Sequence, residues 1–452
     1  MDFAASDIGG WAWLLPTIRS PDRFAGDYRV AGNPGGFTEF LGRDIAYDWQ
    51  GLPVSGTVNA YRESQDGALI VEVSNLSISV QQLNSWTVRN ATDEAMRTML
   101  AGPDHITGSP FGDRLRGYGG DDVMLGGAGD DMLRGDAGND LLDGGAGRDV
   151  AVYDGAAADY AVIVAPGVTG VVAARPAQRL QDGIDKLLSV EVLGFSGGWD
   201  VQAVGPVNFR PLSYIASHLD LGMAFGLDAG AAFDHYLYHG WDEGRAVSFL
   251  PLSYVASHAD LMAVLGADAD AGARHFIQAG RSEGRHVGFD GLDYIAASSD
   301  LIRAFGTDAE AGAGHYIQFG RMEGRPTHFN SLDYIASHHD LIHAFGTNQQ
   351  AGTRHYIANG WQEGRKVSFD GLGYIASHRD LALVLGTDAE AGAVHYIRYG
   401  AAEGRATHDF DAQQYLANYA DLRAVLGADQ HQATLHWIRH GLAEGRSDDL
   451  FG

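Results

Sequence analysis

The 452-residue chain has no cysteine, which excludes disulfide staples and thiolate metal sites. Basic side chains are scarce: 31 Lys and Arg stand against 58 Asp and Glu, a formal charge of −27 at pH 7. Such an excess repels nucleic-acid phosphates and anionic membrane surfaces, so no nucleic acid is expected as a partner. Without counterions the chain also repels itself, which suits a protein that folds when a divalent cation arrives. No long apolar run exists. The longest, from Tyr160 to Ala174, is broken by Pro166, Gly167 and Gly170, which predicts no transmembrane helix and no membrane insertion. The opening MDFAASDIGGWAWLLPTIRS lacks a basic n-region, and Gly and Pro interrupt its apolar part, so no Sec signal peptide is expected. Composition alone would point to the cytoplasm. The length admits about two to four domains, and 45% hydrophobic residues suffice for packed cores.

What the chain has in excess is glycine, 62 residues, and the densest run spells out a register. From Gly108 to Val152 the sequence reads GSPFGDRLR, GYGGDDVML, GGAGDDMLR, GDAGNDLLD, GGAGRDVAV, five nonapeptides without an insertion. Each has Asp at its sixth position (Asp113, Asp122, Asp131, Asp140, Asp149), and a partial unit with Asp104 precedes them. Gly recurs at the first and fourth positions, as Gly117 and Gly120, Gly126 and Gly129, Gly135 and Gly138, and Gly144 and Gly147. The eighth position is apolar: Ile106, Leu115, Met124, Leu133, Leu142, then Ala151. Glycine lets the backbone take positive φ and turn carbonyls inward. The aspartates add hard carboxylate oxygens, a donor set suited to Ca²⁺. A short strand after each Asp would bury the eighth residue.

This pattern resembles the Gly-Gly-x-Gly-x-Asp-x-U-x repeat of RTX (haemolysin-type) calcium-binding proteins. The resemblance implies a parallel β-roll in which two nonapeptides make one turn, with Ca²⁺ between same-side loops of adjacent turns. It pairs Asp104 with Asp122, Asp113 with Asp131, Asp122 with Asp140, and Asp131 with Asp149. The first unit departs from the pattern, with Ser109, Pro110 and Phe111 in place of glycine. The resemblance also implies export from a Gram-negative cell through type I secretion machinery, using an uncleaved C-terminal signal with which the terminal SDDLFG is compatible.

Residues 1–100 read as a β-rich flank domain. Thr57–Tyr61, Ala68–Val73 and Leu76–Val80 alternate as strands with a turn at Gln65-Asp66-Gly67, and Asp93–Leu100 reads as a brief helix. The phrases PVSGTVNAY and VEVSNLSISV are similar to the flank found ahead of RTX repeats. Residues 101–153 form the roll and 154–206 its β cap, because YDGAAADYAVIV and DGIDKLLSVEVLGF resemble the flank that closes such rolls. A cap is needed where a roll would otherwise end in an open edge and an open core. Asp182 and Asp185 offer either a further Ca²⁺ site or a solvated turn, and the turn is the expectation. Gly194-Phe195-Ser196-Gly197-Gly198 matches a nucleophile elbow, but the residues after it make a poor helix, so a turn is expected.

Residues 207–452 form an array of six units with a period of 40 residues, the sixth shifted by one inserted residue. Phe209, Tyr214, Asp220, Leu221, Gly226, His235, Gly240, Glu243, Gly244 and Arg245 have equivalents in every unit. Each unit predicts three short helices. Ser217-x-x-Asp220 and its equivalents read as a capping box for the second, and Gly226 ends it. Asp228 caps the third, which is expected to stop at Gly240. None is long enough to stand alone, so stacking must supply a core. The array is similar to helical repeats ending in His-Tyr-x-x-x-Gly-x-x-Glu-Gly-Arg that occur beside RTX segments.

The recurrent polar residues admit functional readings. His235 and its equivalents form either a ladder of ligand sites or half-buried histidines with structural hydrogen bonds, and the second is expected. The spaced pairs His235/His239, His339/His343 and His436/His440 lack the Glu of a zinc-protease motif. Glu243 and Arg245 are expected to join one unit to the next. Trp241, Trp361, Tyr238, Phe319 and Tyr399 offer stacking faces for sugars or a neighbouring subunit.

The fold class is therefore a multi-domain α and β protein: an N-terminal β domain, a parallel β-roll with a β cap, and a C-terminal α-helical solenoid. The function expected is a secreted, calcium-dependent structural protein of the extracellular space or cell surface. It is expected to be a homo-oligomer or surface assembly and not an enzyme, with Ca²⁺ as the only cofactor. The alternative is an adhesin whose array grips a glycan or cell-surface partner; a hydrolase in residues 1–100 ranks third.

Overall fold

In a computed structural model the described residues are 16–30, 33–65, 68–89, 91–196, 200–205 and 207–449. Asp66-Gly67, Gly197-Gly198 and the last three residues, parts of motifs named above, lie outside them, as does most of the opening segment. The chain divides into two compact units, 1–248 and 249–452.

The first unit begins as an antiparallel meander of β1 (Ile18–Ser20), β2 (Arg23–Val30), β3 (Asn33–Tyr47), β4 (Pro53–Gln65) and β5 (Ala68–Ser79). The expected strands at 68–73 and 76–80 are one strand. It is bulged where Asn75 takes φ 73° and the β4–β5 register shifts. Val80 is not its last residue but opens a helix, α1 (Val80–Arg89), because Val80, Leu83, Trp86 and Thr87 fall on one buried helical face. The expected helix comes next as α2 (Thr92–Met99).

The nonapeptides then wind between two sheets. Odd and even repeats alternate: β6 (His105–Thr107), β8 (Val123–Ala128) and β10 (Leu141–Ala146) on one side, β7 (Arg114–Arg116), β9 (Met132–Arg134) and β11 (Val150–Val152) on the other. All pair in parallel, with residues opposite one another two repeats apart. The cap contributes β12 (Tyr160–Ala165), β13 (Val168–Ala173), the helix α3 (Pro176–Asp182), β14 (Ile184–Leu188), β15 (Val192–Phe195) and β16 (Asp200–Ala203). The strand order is β1-β2-β3-β4-β5-β6-β8-β10-β14-β13-β12 in one sheet and β16-β15-β11-β9-β7 in the other. Flank, roll and cap thus share a sheet, and β5 covers the first edge of the roll by pairing antiparallel with β6. One apolar core runs from Phe24 through the eighth-position residues to Phe195.

Helical units recur as expected, and residues 369–408 show the pattern. Asp370 caps a helix over Gly371–Ala376 that buries Leu372, Tyr374 and Ile375. A second helix, Arg379–Leu385, ends at Gly386 with φ 55°. Asp388 Oδ1 accepts the Ala391 N–H at 2.9 Å and starts the third, Ala389–His395. The third loses its α-helical form at His395, and the expected stop at Gly240 is where the π-helical segment of the first unit ends. Here the helix continues as a π-helical turn, Tyr396–Gly400, and the chain reverses at Gly404, where φ is 67°. Gly400 also makes room for a side chain, since a Cβ there would lie 2.2 Å from the Tyr374 hydroxyl oxygen. The serine expected to cap the second helix does not do so. Ser377 Oγ donates to the Gly373 carbonyl at 2.8 Å and accepts the N–H of Asp409 and of Phe410 from the following unit. It latches consecutive units together.

Within 249–452, the first helix of one unit packs against the third helix of the next. Glu310 accepts the N–H groups of Leu252 and Ser253 at 2.8 and 3.0 Å, and Thr353 Oγ1 donates to Asp293 at 3.0 Å. A core from Leu292 to Ile438 results.

The Gly–Tyr contact predicts a measurable coupling. At Gly320, a Cβ would sit 2.0 Å from the Tyr294 hydroxyl oxygen, so Gly320→Ala should cost ~1–3 kcal/mol by overpacking. Tyr294→Phe removes the struck atom and should make the same glycine substitution cheaper in the double mutant, read as thermal midpoints in a double-mutant cycle.

Candidate metal sites of the roll

Every sixth-position aspartate is buried, between 0% and 4% exposed. Burying a carboxylate is costly unless its oxygens are satisfied. In four of them one oxygen is satisfied by the main chain one turn back. Asp122 Oδ1 accepts the N–H of Asp104 at 2.8 Å, Asp131 that of Asp113 at 2.7 Å, Asp140 that of Asp122 at 2.9 Å, and Asp149 that of Asp131 at 2.8 Å. The four aspartate pairs expected from the repeat are therefore adjacent, each a full turn of 18 residues apart.

The second oxygen has no partner. Oδ2 of Asp104, Asp122, Asp131, Asp140 and Asp149 is buried without a hydrogen bond. Burial in the first place, with the neighbouring Asp122 carboxylate adding to it, pushes Asp104 up to about 7. Burial likewise raises Asp122 to about 7 and Asp131 to about 6, against an opposing main-chain hydrogen bond. Asp149 is raised by burial as well.

The first-position glycines explain where these oxygens point. A Cβ on Gly126 would lie 2.4 Å from Asp131 Oδ2 and 2.6 Å from the Gly144 carbonyl oxygen. On Gly117 it would lie 2.2 Å from Asp122 Oδ2 and 2.8 Å from the Gly135 carbonyl oxygen. On Gly135 and Gly144 it would meet Oδ2 of Asp140 and Asp149 at 1.9 and 2.5 Å. Carboxylate and carbonyl oxygens of successive turns thus gather where only glycine leaves room. The fourth-position glycines act differently: Gly120, Gly129, Gly138 and Gly147 take φ between 106° and 154°, a region open to glycine. Gly138 and Gly147 also lie against the carbonyls of Gly120 and Gly129 one turn back.

This donor set fits Ca²⁺, which takes six to eight hard oxygens and tolerates irregular geometry. Asp104, Asp122, Asp131, Asp140 and Asp149 would hold it with loop carbonyls. The ion would supply the positive charge that the buried carboxylates lack. Among the described residues no three His, Asp or Glu side chains converge as a metal cluster by themselves, so main-chain oxygens would make up the remainder.

Asp113 is the exception. Its Oδ2 accepts the Ser109 N–H at 2.6 Å and the Ser109 hydroxyl at 2.8 Å. The first repeat, irregular in sequence, fills its own carboxylate where the others leave an oxygen open.

The structure adds residues that periodicity does not reveal. Asp185, expected in a solvated turn, is 1% exposed, and its Oδ1 accepts the Asp140 N–H at 3.0 Å. Glu191 accepts the Asp149 N–H at 2.9 Å. Asp182 is buried too, against the Tyr160 hydroxyl and Gln178. A second ladder occupies the fifth position: Asp121 Oδ1 accepts from Asn139 N–H and Asp130 Oδ1 from Arg148 N–H. The doublets Asp121-Asp122 and Asp130-Asp131 are its signal in the sequence.

Elsewhere the recurrent polar residues are engaged in structure. Each array histidine places Nδ1 2.8–3.1 Å from its own unit's tyrosine hydroxyl, as His235 does with Tyr214. Arg245 bridges Glu243 at 2.6 Å and Asp220 at 2.7 Å within one unit, not between units, and the pattern recurs through Arg446. The reason is the 25-residue return of the chain, which brings each arginine back over its own second helix. His339 and His343 are 3.2 Å apart at Nε2, a pair that no third His, Asp or Glu joins among the described residues. Trp241, Phe319 and Tyr399 are exposed, whereas Trp361 is half-covered beneath the Arg303 guanidinium. Ser196 has φ 52° but lies between β15 and β16, a strand-to-strand turn rather than an elbow before a helix.

Residues 100–133 and 116–151 match the family model of the RTX calcium-binding nonapeptide repeat. The chain carries these repeats over that stretch. No curated protein matches the chain, and no helix among the described residues is long and apolar enough to cross a membrane.

The carboxylates lead to two expected outcomes. In calcium-free protein, groups whose folded pKa is raised contribute stability that is full below the ordinary carboxylate value and is lost as pH rises through the raised one. With Asp131 at about 6 and Asp104 and Asp122 at about 7, the thermal midpoint in EDTA should fall as pH rises from about 5 to about 8. Calcium affinity, measured by titration calorimetry, should rise over the same interval because protons and Ca²⁺ compete for the same oxygens.

Proposed function

We propose that the chain is a secreted structural protein of the extracellular space or cell surface whose fold is switched on by calcium. The observation that carries this reading is the row of buried aspartate oxygens without partners. At low calcium they oppose folding of the roll by burial and mutual repulsion; at high calcium, binding to the folded state alone favours it. A chain of net charge −27 stays extended and exportable under the first condition and compact under the second. RTX repeats are typical of proteins exported by type I machinery from Gram-negative cells, which supports secretion by that route.

The reading is non-catalytic, and the array is its assembly surface. Supporting it, the recurrent His, Glu and Arg side chains are spent on tyrosine hydroxyls and ion pairs inside each unit. The second helices meanwhile leave apolar side chains exposed: Val264 81%, Leu383 70%, Val384 80% and Val425 82%. Exposed apolar side chains favour contact with another surface, here another copy of the chain.

Light scattering and negative-stain microscopy on full-length protein, in EDTA and then in millimolar Ca²⁺, test both parts. Ordered sheets, tubes or filaments appearing only with Ca²⁺ are expected. A compact monomer in Ca²⁺ would overturn self-assembly and favour an adhesin, for which exposed Trp241, Phe319 and Tyr399 offer stacking faces. No response to Ca²⁺ would overturn the calcium switch itself.

A further inference from the structure

The nine-residue register ends at Val152, but the roll does not. We propose that residues 183–194 are a cryptic final turn of the calcium roll. In it Asp185 and Glu191, with the Ser189 carbonyl, complete the last two calcium sites, those begun by Asp140 and Asp149. The inference rests on the calcium reading above and extends it to a segment beyond the matched repeats.

Backbone register makes the first case. β14 continues the parallel stack on β10 with Leu142 opposite Leu187, and β15 continues it on β11 with Ala151 opposite Leu193. Leu187 and Leu193 are 1% and 3% exposed, so they extend the two interior columns of eighth-position residues. The loops correspond as well. Gly183 lies against the Gly138 carbonyl as Gly138 lies against that of Gly120. Ile184 N–H donates to Asn139 Oδ1 at 2.9 Å, as Asn139 N–H does to Asp121 Oδ1 at 2.8 Å. Gly183-Ile184-Asp185 therefore repeats Gly138-Asn139-Asp140 one turn on.

The carboxylates make the second case. Asp185 and Glu191 receive the N–H of Asp140 and Asp149 just as each repeat aspartate receives that of the turn before. Asp140 and Asp149 are wholly buried, and each retains an Oδ2 with no partner. Beside Gly144, Asp149 Oδ2 is joined by the Ser189 carbonyl oxygen, at 2.5 and 2.3 Å from the Cβ position. The same point beside Gly126 is shared by Asp131 Oδ2 and the Gly144 carbonyl oxygen. The cap thus supplies in non-repeat residues the oxygens that a further nonapeptide would supply.

Two departures hide this turn. Residues 154–182, carrying β12, β13 and α3, interrupt the register. The loop from Ser189 to Glu191 is also shorter than the loop from Gly144 to Asp149 that it answers. The turn has a further consequence, because the first helical unit docks on the same strand. Lys186, beside Asp185, pairs with Asp234 at 2.6 Å. Calcium at the last turn would therefore brace the seat of that first helical unit.

The test counts bound Ca²⁺ per full-length chain by titration calorimetry and by metal analysis after gel filtration. Asp185→Asn and Glu191→Gln should each bind one Ca²⁺ fewer than the unaltered protein. Asp182→Asn, buried in the same cap but off the ladder, should retain the full number. Unchanged stoichiometry and affinity in the first two variants would overturn the inference while leaving the calcium reading intact. Equal loss in Asp182→Asn would assign the effect to cap unfolding and overturn the ligand roles. Absence of calcium binding in the unaltered protein would overturn both readings at once.

Discussion

A carboxylate oxygen that accepts a main-chain N–H from the preceding turn is the contact on which the roll depends. It does two things together. It satisfies an amide that the loops would otherwise bury unpaired, and it holds the aspartate so that its other oxygen faces the loop rather than solvent. The spacing of 18 residues reflects two strands per turn. The same bond therefore fixes register and presents the unpartnered oxygen. A carboxylate whose second oxygen is taken by protein donors, as Asp113 Oδ2 is by Ser109, leaves no such oxygen open to an ion. Half-use is what makes the site.

The helical array applies the opposite economy. Its repeated polar residues are all consumed locally: histidine against the tyrosine hydroxyl, arginine between two carboxylates, serine as a latch to the next unit. The repeated glycine of the π turn serves the same packing, since the tyrosine hydroxyl fills the space of its Cβ. Recurrence there marks what every unit needs in order to stand, and the variable residues on the outer faces of the second helices are where units differ.

How much of this is legible in sequence depends on how local each signal is. The aspartate register, the eighth-position core and the caps at Asp228 and Gly226 are readable because each is set within a few residues. Ser377 and its equivalents mislead because a serine three residues before an acid has the same local form as a capping box. Its true partners are N–H groups about 30 residues on. The arginines belong within units and not between them, and only the fold of the 25-residue return reveals the acid each one meets. Glu191 escapes a sequence reading, and Asp185 reads as a solvated turn, for a related reason. An insertion and a shortened loop destroy the period, while the strand register that restores it exists only in three dimensions.

The side-chain ladder also has a direction. Each aspartate accepts from the residue a turn earlier in the chain, and in none of these pairs is this reversed. In the carboxylate ladder a turn is consequently completed by its successor, although main-chain bonds such as Val123 N–H to the Asp104 carbonyl run the other way. On a chain made from its N-terminus, no rung of that ladder can form until the next repeat exists, and the last waits for residues 185 and 191. The ladder is therefore complete only with residues 185 and 191 in place.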